Sequence, residues 1–293
     1  MGGESNGGSL AGAMFELPSV VVDPVVDLAL REDLASGDLT TEACIDAEAR
    51  AVAHAVARER LVCCGGPVFA RVFARLDASL EARAHVAEGA RVDAGARLWT
   101  VSGRARAILM GERVALNLVQ RMCGIATQTR AHVDAVPDGC GARITDTRKT
   151  TPGLRALERY AVRVGGGHNH RDDLGAAVLV KDNHVAACGG VRAAIERARA
   201  AVPHTAKIEC EVDSLQQLDE ALDAGVDIVL LDNMPTRKVV EAVRRAAGRA
   251  LIEASGGVTI ERVAELARAG VDAISVGALT HSVRAADVGL DFE

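Results

Sequence analysis

From residue 207 onward the chain repeats one pattern, a short apolar run of strand length followed by an amphipathic run of helix length, about every 20 residues. Residues 207–212, 227–231, 250–254 and 273–276 read as strands, and 215–222, 238–247 and 260–269 as helices. Apolar strands separated by crossover helices pair in parallel and are covered on both faces. The same pattern extends backwards, with 142–145 as the first strand, 154–164 as its helix and 176–180 as the second strand. About six βα units result, fewer than the eight of a closed barrel. The expected class is α/β, an incomplete (open) α/β barrel or one that a flanking helix closes.

The first part of the chain lacks this repeat. Residues 25–34 and 67–76 look helical, 51–58 alternate like a strand, and 85–101 read as short strands and turns around Gly89 and Gly95. This α+β pattern belongs to a smaller N-terminal domain. A helix-rich stretch over 108–136, interrupted near Gly124, connects the two. The expected division is a tail at 1–17, an N-terminal domain with the connecting helix at 18–120, and the barrel at 121–293. Residues 1–13 are rich in Gly and Ser without the charged-then-apolar order of a signal peptide, so a disordered tail and a cytoplasmic protein are expected.

Catalytic groups on parallel sheets gather at the carboxyl ends of the strands. Here those ends carry Asp146 with Arg148, Lys181, Glu211, Asp232, Glu253 with Ser255, and Gly277. Residues 144–184 concentrate seven Arg or Lys against five acids, in a chain whose net charge is −6. Clustered, desolvated cations cost several kcal/mol each unless paired, so the stretch implies a ligand that brings negative charge. The acidic whole argues against nucleic acid or an anionic membrane as partner. No apolar run approaches the roughly 20 residues of a membrane span. The seven cysteines contain no CxxC pair, and they are expected to be buried small hydrophobes in place of a disulfide or zinc framework.

Several motifs then fall in order. Glu32-Asp33 precedes Gly37-Asp38-Leu39-Thr40-Thr41, and Glu112-Arg113 with Asn117 precedes Gly124-Ile125-Ala126-Thr127. Asp146 to Thr150, Gly165 to Gly167, Asn169-His170-Arg171 and Lys181 to His184 follow. Glu211-Val212-Asp213, Leu231-Asp232-Asn233, Ser255-Gly256-Gly257 and Val276-Gly277-Ala278 complete the series. Together they resemble the quinolinate phosphoribosyltransferases over about residues 23–293. The resemblance implies transfer of a ribosyl phosphate from phosphoribosyl pyrophosphate to quinolinate, with loss of pyrophosphate and CO2, on the route to NAD. It also implies an N-terminal α/β-sandwich domain, Mg2+ as cofactor, and a homodimer or dimer-based hexamer in which Arg113 reaches the neighbouring active site.

Quinolinate carries two adjacent carboxylates, so its site needs several cations at fixed angles. The resemblance gives that role to Thr147, Arg148, Lys149, His170, Arg171 and Lys181, with Lys149, Glu211 and Asp232 as catalytic residues. Glu211 and Asp232 also match residues near the ribose hydroxyls and the metal. Glu209 is left open. Ser255-Gly256-Gly257 and Gly277-Ala278 present backbone N–H groups near helix starts, as phosphate-binding nests do. Ribosylation makes the ring nitrogen cationic, so CO2 can leave without a Schiff-base lysine or prosthetic group. Arg155, Arg159 and Arg163 recur every fourth residue and are expected on a solvated or interface face. His54, His85, His132 and His204 are expected to be structural or exposed. His184 and His281 are open between positioning and local hydrogen bonding. After Arg171 the family usually has an apolar residue and glycine where this chain has Asp172-Asp173. A phosphoribosyltransferase-like protein linked to molybdenum transport, an imine-forming aldolase barrel and a non-catalytic binding module are the alternatives.

Overall fold

Local sequence signals place most of the elements. The computed structural model describes residues 17–293, so the tail expected at 1–17 lies outside the described residues except for Leu17. The chain runs through α1 (Ser19–Asp33), α2 (Leu39–Cys44), β1 (Arg50–Ala57), β2 (Leu61–Val62), α3 (Gly66–Leu76), β3 (Glu81–Ala84), β4 (Arg91–Val92), β5 (Arg97–Arg104) and α4 (Ala105–Asp134). The repeat follows: β6 (Arg143–Thr145), α5 (Arg155–Val164), β7 (Val178–Val180), α6 (Asp182–Cys188), α7 (Val191–Ala201), β8 (Ile208–Val212), α8 (Leu215–Asp223), β9 (Ile228–Asp232), α9 (Thr236–Ala246), β10 (Leu251–Ser255), α10 (Ile260–Arg268), β11 (Ala273–Ser275), α11 (Ala278–His281) and β12 (Val288–Phe292). Caps explain individual starts. Asp38 accepts a hydrogen bond from Thr41 N at 2.9 Å and opens α2, and Ser214 does the same for α8.

Two compact units result. One holds the described residues up to Gln128, Thr151–Gly166 and Val283–Glu293; the other holds Thr129–Thr150 and Gly167–Ser282. The first contains an antiparallel sheet in the order β12-β1-β5-β3. Phe69 and Phe73 of α3 meet edge to face at 4.9 Å, and Phe69 stacks on Trp99 of β5 at 5.2 Å. The aromatic cluster seats α3 on the sheet; the rest of the core there is mostly small and aliphatic, with Met122 and Tyr160 as larger members.

The second unit contains a parallel sheet in the order β6-β11-β10-β9-β8-β7. First and second strands of the repeat thus lie at opposite edges, and the barrel stays open. Among the described residues, the outer edge of β6 carries an isolated parallel bridge, from Thr145 to His168. Helices α7 to α10 pack against the sheet, burying Ala194, Ile195, Leu218, Val239, Ala242 and Val263 among others. The open α/β barrel read from the repeat is what the fold contains.

Four expectations change. The sequence division gave everything after residue 120 to the barrel, but β12 pairs antiparallel with β1, from Ala53 opposite Phe292 to Ala57 opposite Val288. The chain's last strand therefore belongs to the first unit. Helix α5 belongs there too. Buried Glu158 accepts from Arg121 Nε at 2.7 Å and from Thr151 N at 3.1 Å, and Tyr160 donates to Glu88 at 3.0 Å. Second, of the row expected on a solvated or interface face, Arg159 is only 5% exposed and Arg155 and Arg163 are half-buried, so the solvated alternative fails at Arg159. Third, four cysteines (Cys63, Cys64, Cys123 and Cys210) are buried, whereas Cys140 and Cys188 are half-buried and Cys44 is exposed.

Fourth, α4 is one continuous 30-residue helix through Gly124. The glycine marks a close approach where a break was expected: a Cβ there would lie 2.2 Å from the backbone oxygen of Arg284. Helix propensity alone makes Gly→Ala stabilising by about 1 kcal/mol. The contact with a backbone atom reverses the sign, since overpacking costs about 1–3 kcal/mol or more. Gly124→Ala is therefore expected to lower the melting temperature by several degrees in a thermal denaturation; an unchanged or raised midpoint would contradict the close packing.

Candidate active site

The site assembles from strand ends of the second unit around a cavity of about 550 Å³, within the usual range for small-molecule pockets. Asp146, fully buried just past β6, organises its first wall. Its carboxylate accepts from His170 N at 2.8 Å and from Asn169 Nδ2 at 2.6 Å. With the Thr145 to His168 bridge, these bonds hold residues 168–171 alongside the edge strand. Arg148, Lys149, His170, Arg171 and Lys181 consequently line one cavity. Arg148 Nε is buried without a hydrogen-bond partner. Burial, and then the nearby Arg148 cation, lower the pKa of Arg171. Two guanidiniums that disfavour each other in this way form a ready site for an anion.

His170 is held from both sides. Arg171 N donates to its Nδ1 at 2.8 Å, and its Nε2 lies 3.0 Å from Glu209 and 3.6 Å from Glu253. The amide bond places the ring hydrogen on Nε2, facing the acids. The Glu209 hydrogen bond is the main cause that raises the His170 pKa, against burial; a second proton, at Nδ1, would displace the Arg171 amide. The ring thus positions Arg171.

The opposite wall is acidic. Register places Glu211 of β8 level with Leu230 of β9, and Leu230 level with Glu253 of β10. One step nearer the strand ends, Asp232 lies level with Ser255. Burial foremost, then Asp232, raise the Glu211 pKa, while Lys181 at 3.6 Å opposes them. Burial foremost, then Glu209, push the Glu253 carboxyl up to about 7.

Beyond these acids the backbone turns sharply. Gly256 has φ +93°, and a Cβ on it would lie 2.2 Å from Asn233 Oδ1 and 2.8 Å from Asn233 N. Arg262 fastens the two loops, donating to Gly256 O at 2.9 Å and to Met234 O at 2.6 Å. Ser255, Gly256 and Gly257 all line the cavity.

Of the residues selected from sequence, Thr147, Arg148, Lys149, His170, Arg171, Lys181, Glu211, Asp232, Ser255, Gly256 and Gly257 meet at this cavity. Gly277 and Ala278 are half-buried behind it: a Cβ on Gly277 would stand 3.0 Å from Lys149 Cδ, and Thr280 donates to Lys149 O at 2.8 Å. Arg113 is exposed on α4 in the first unit. His184 serves local bonding, accepting from Lys181 N at 3.0 Å. Asp172 and Asp173 are exposed, and Asp173 accepts from Gly175 N at 2.8 Å to form a turn. Glu253 and Glu209 escaped the site selection. Period-two alternation could have found them, because it puts Glu209 on the face of Glu211 and Glu253 on that of Ser255.

The glycine turn generates a binding test. Gly256→Ala adds left-handed strain of about 1–3 kcal/mol to a contact with backbone, so affinity for ribose 5-phosphate measured by calorimetry should fall about tenfold or more. Undiminished binding would remove the phosphate role from this turn.

Comparison with known proteins divides the chain in sequence near residue 124, with α5 and most of β12 inside the C-terminal match. Residues 38–123 match the model of the quinolinate phosphoribosyl transferase N-terminal domain, and 125–291 match that of the C-terminal domain. The chain is 49% identical to the nicotinate-nucleotide pyrophosphorylase [carboxylating] of Mycobacterium leprae, over 90% of this chain and 94% of that protein. It is 39% identical to the human protein of the same name, covering 95% and 94%. Among solved structures, NadC from Streptococcus pyogenes superposes with a TM-score of 0.91 at 41% identity, covering 95% of this chain and 99% of that one. With both domains matched in order and relatives of this identity aligned along nearly their whole length, the chain belongs to the quinolinate phosphoribosyltransferase family.

Proposed function

We propose that this chain transfers the phosphoribosyl group of phosphoribosyl pyrophosphate to the ring nitrogen of quinolinate. Pyrophosphate and CO2 leave, and nicotinate mononucleotide forms, in de novo NAD biosynthesis. The observation that carries this reading is the division of one cavity. Arg148, Lys149, Arg171 and Lys181 line the same cavity as Glu211, Asp232 and the Ser255-Gly256-Gly257 turn, and on this reading the cations take the dicarboxylate while the acids and the turn take the phosphorylated sugar. Relatives at 39–49% identity carry the corresponding name, which supports the assignment.

The chemistry follows from the two walls. Forked Arg148 and Arg171 and the point charges of Lys149 and Lys181 hold both carboxylates and orient the ring nitrogen toward the anomeric carbon. As the C–O bond to pyrophosphate breaks, positive charge grows on the ribose, and the Glu211 and Asp232 carboxylates stabilise it. The Ser255-Gly256-Gly257 amides take the 5′-phosphate. Glu211 and Asp232 supply hard oxygen donors near the ends of adjacent strands and line the same cavity, so these residues suit Mg2+ and would hold it. The ion would neutralise the departing pyrophosphate. We assign Arg113 to the cavity of a neighbouring subunit in a homodimer or dimer-based hexamer, because it is exposed on α4 and absent from the lining of its own chain's cavity. No helix among the described residues is long and apolar enough to cross a membrane, in keeping with a cytoplasmic enzyme.

Production of nicotinate mononucleotide from quinolinate, phosphoribosyl pyrophosphate and Mg2+ tests the assignment and separates it from the molybdenum-linked alternative. Arg148→Ala should lower kcat/KM for quinolinate about 100-fold, the equivalent of losing roughly 2–3 kcal/mol of charge-assisted bonding. Full activity in that variant would place the dicarboxylate elsewhere. Mixing Arg113→Ala with Arg148→Ala subunits should regain activity that neither has alone; no recovery after verified subunit exchange would show that Arg113 acts within its own chain.

A further inference from the structure

Glu253 stands in the acidic wall but has no part in the binding roles proposed above. Its side chain lines the cavity, yet the residue is only 5% exposed, and its Oε1 has no hydrogen-bond partner. It faces His170 Nε2 at 3.6 Å, whereas Glu209 holds the same nitrogen at 3.0 Å. Two buried carboxylates thus compete for one N–H. Asp146, beyond β6, and Ser275 on β11 complete the groups that face it. Carboxylates crowded in this way cannot all ionise, and the one without the short bond is the one that keeps a proton.

Its place in the sheet matters as much as its proton. Glu253 and Ser255 are two residues apart on β10 and both line the cavity. Ser255 lies level with Asp232 in the row that faces the sugar, and Glu253 lies one row deeper. In quinolinate the carbon that loses CO2, C2, is bonded to the nitrogen that receives the sugar. A ring whose nitrogen meets the ribosyl row therefore sets C2 beside the row below. Arginine has no proton to lend, and both ring nitrogens of His170 already have partners.

We propose that Glu253 is the acid that protonates C2 after CO2 departs, an inference that rests on the activity proposed above. Once the ring nitrogen is bonded to ribose, the C2–carboxylate bond breaks heterolytically. CO2 leaves and the electron pair stays on C2, next to the cationic nitrogen. The Glu253 O–H bond then breaks, its proton forms the new C2–H bond, and the side chain is left as a carboxylate. Solvent entering through the cavity mouth restores the proton, so each turnover takes up one proton from water at this step.

Single-turnover quenching with carboxyl-labelled quinolinate separates the two halves of the reaction, because pyrophosphate reports ribosyl transfer and CO2 reports decarboxylation. In Glu253→Gln, CO2 release should slow at least 30-fold more than pyrophosphate release, and the ribosylated dicarboxylate should accumulate; general acids commonly contribute about 10²–10⁴-fold. Glu253→Asp, an acid with a shorter reach, should recover part of the difference. Equal slowing of both products in Glu253→Gln, or no slowing of either, overturns the proposal. The wild type provides a test that needs no variant. The ratio of CO2 release to pyrophosphate release should fall as pH rises from about 6 to 9 and the acid loses its proton, and a flat ratio also overturns it. Absence of pyrophosphate release from the wild type would instead refute the activity itself.

Discussion

Parallel register is the constraint on which the rest of this molecule depends. Glu211, Leu230 and Glu253 share one level across β8, β9 and β10, and Asp232 and Ser255 share the next. A slip of one residue would turn every one of these side chains to the helix-covered face. It would also bury charges among Leu218, Val239 and Val263, where nothing could pair with them. The apolar residues that alternate with the acids, such as Cys210, Val229 and Ile252, therefore hold the chemistry in place by having only one face on which to be buried.

The charged wall follows from the open edge. With no strand beyond β6 among the described residues, residues 168–171 run along it, tied by the Thr145 to His168 bridge and by the two bonds to Asp146. A fully buried carboxylate holds the backbone that presents His170 and Arg171. His170 in turn connects the cationic wall to the buried acids, accepting the Arg171 amide on one nitrogen and facing Glu209 and Glu253 with the other. Placement and proton content of the site are thus set by the same ring.

Much of this was legible in the chain. Alternating apolar runs located the strands of the sheet to within one or two residues, since strand length and helix length leave different periods. The dense cations of 144–184, with acids and glycines at later strand ends, selected most of the residues that meet at the cavity. Other features were not legible, and each for a stated reason. Gly124 looked like a helix break because its real cause, the backbone oxygen of Arg284, lies 160 residues away in sequence. Periodicity leaves the burial of Arg159 open between solvent and an interface, because it gives a face without saying what covers it. Glu253 looked like one more strand-end acid because its crowding by Glu209, His170 and Asp146 comes from three other segments.

Sequence by itself determined the class of fold and the inventory of chemistry, because apolar periodicity and the placement of charged residues near strand ends are local properties of a chain. Tertiary structure alone decided which edge stays open, that the last strand returns to the first sheet, and which acids are buried against one another. Those outcomes depend on distances between segments far apart in sequence, and burial and Coulomb interaction act on distance in space.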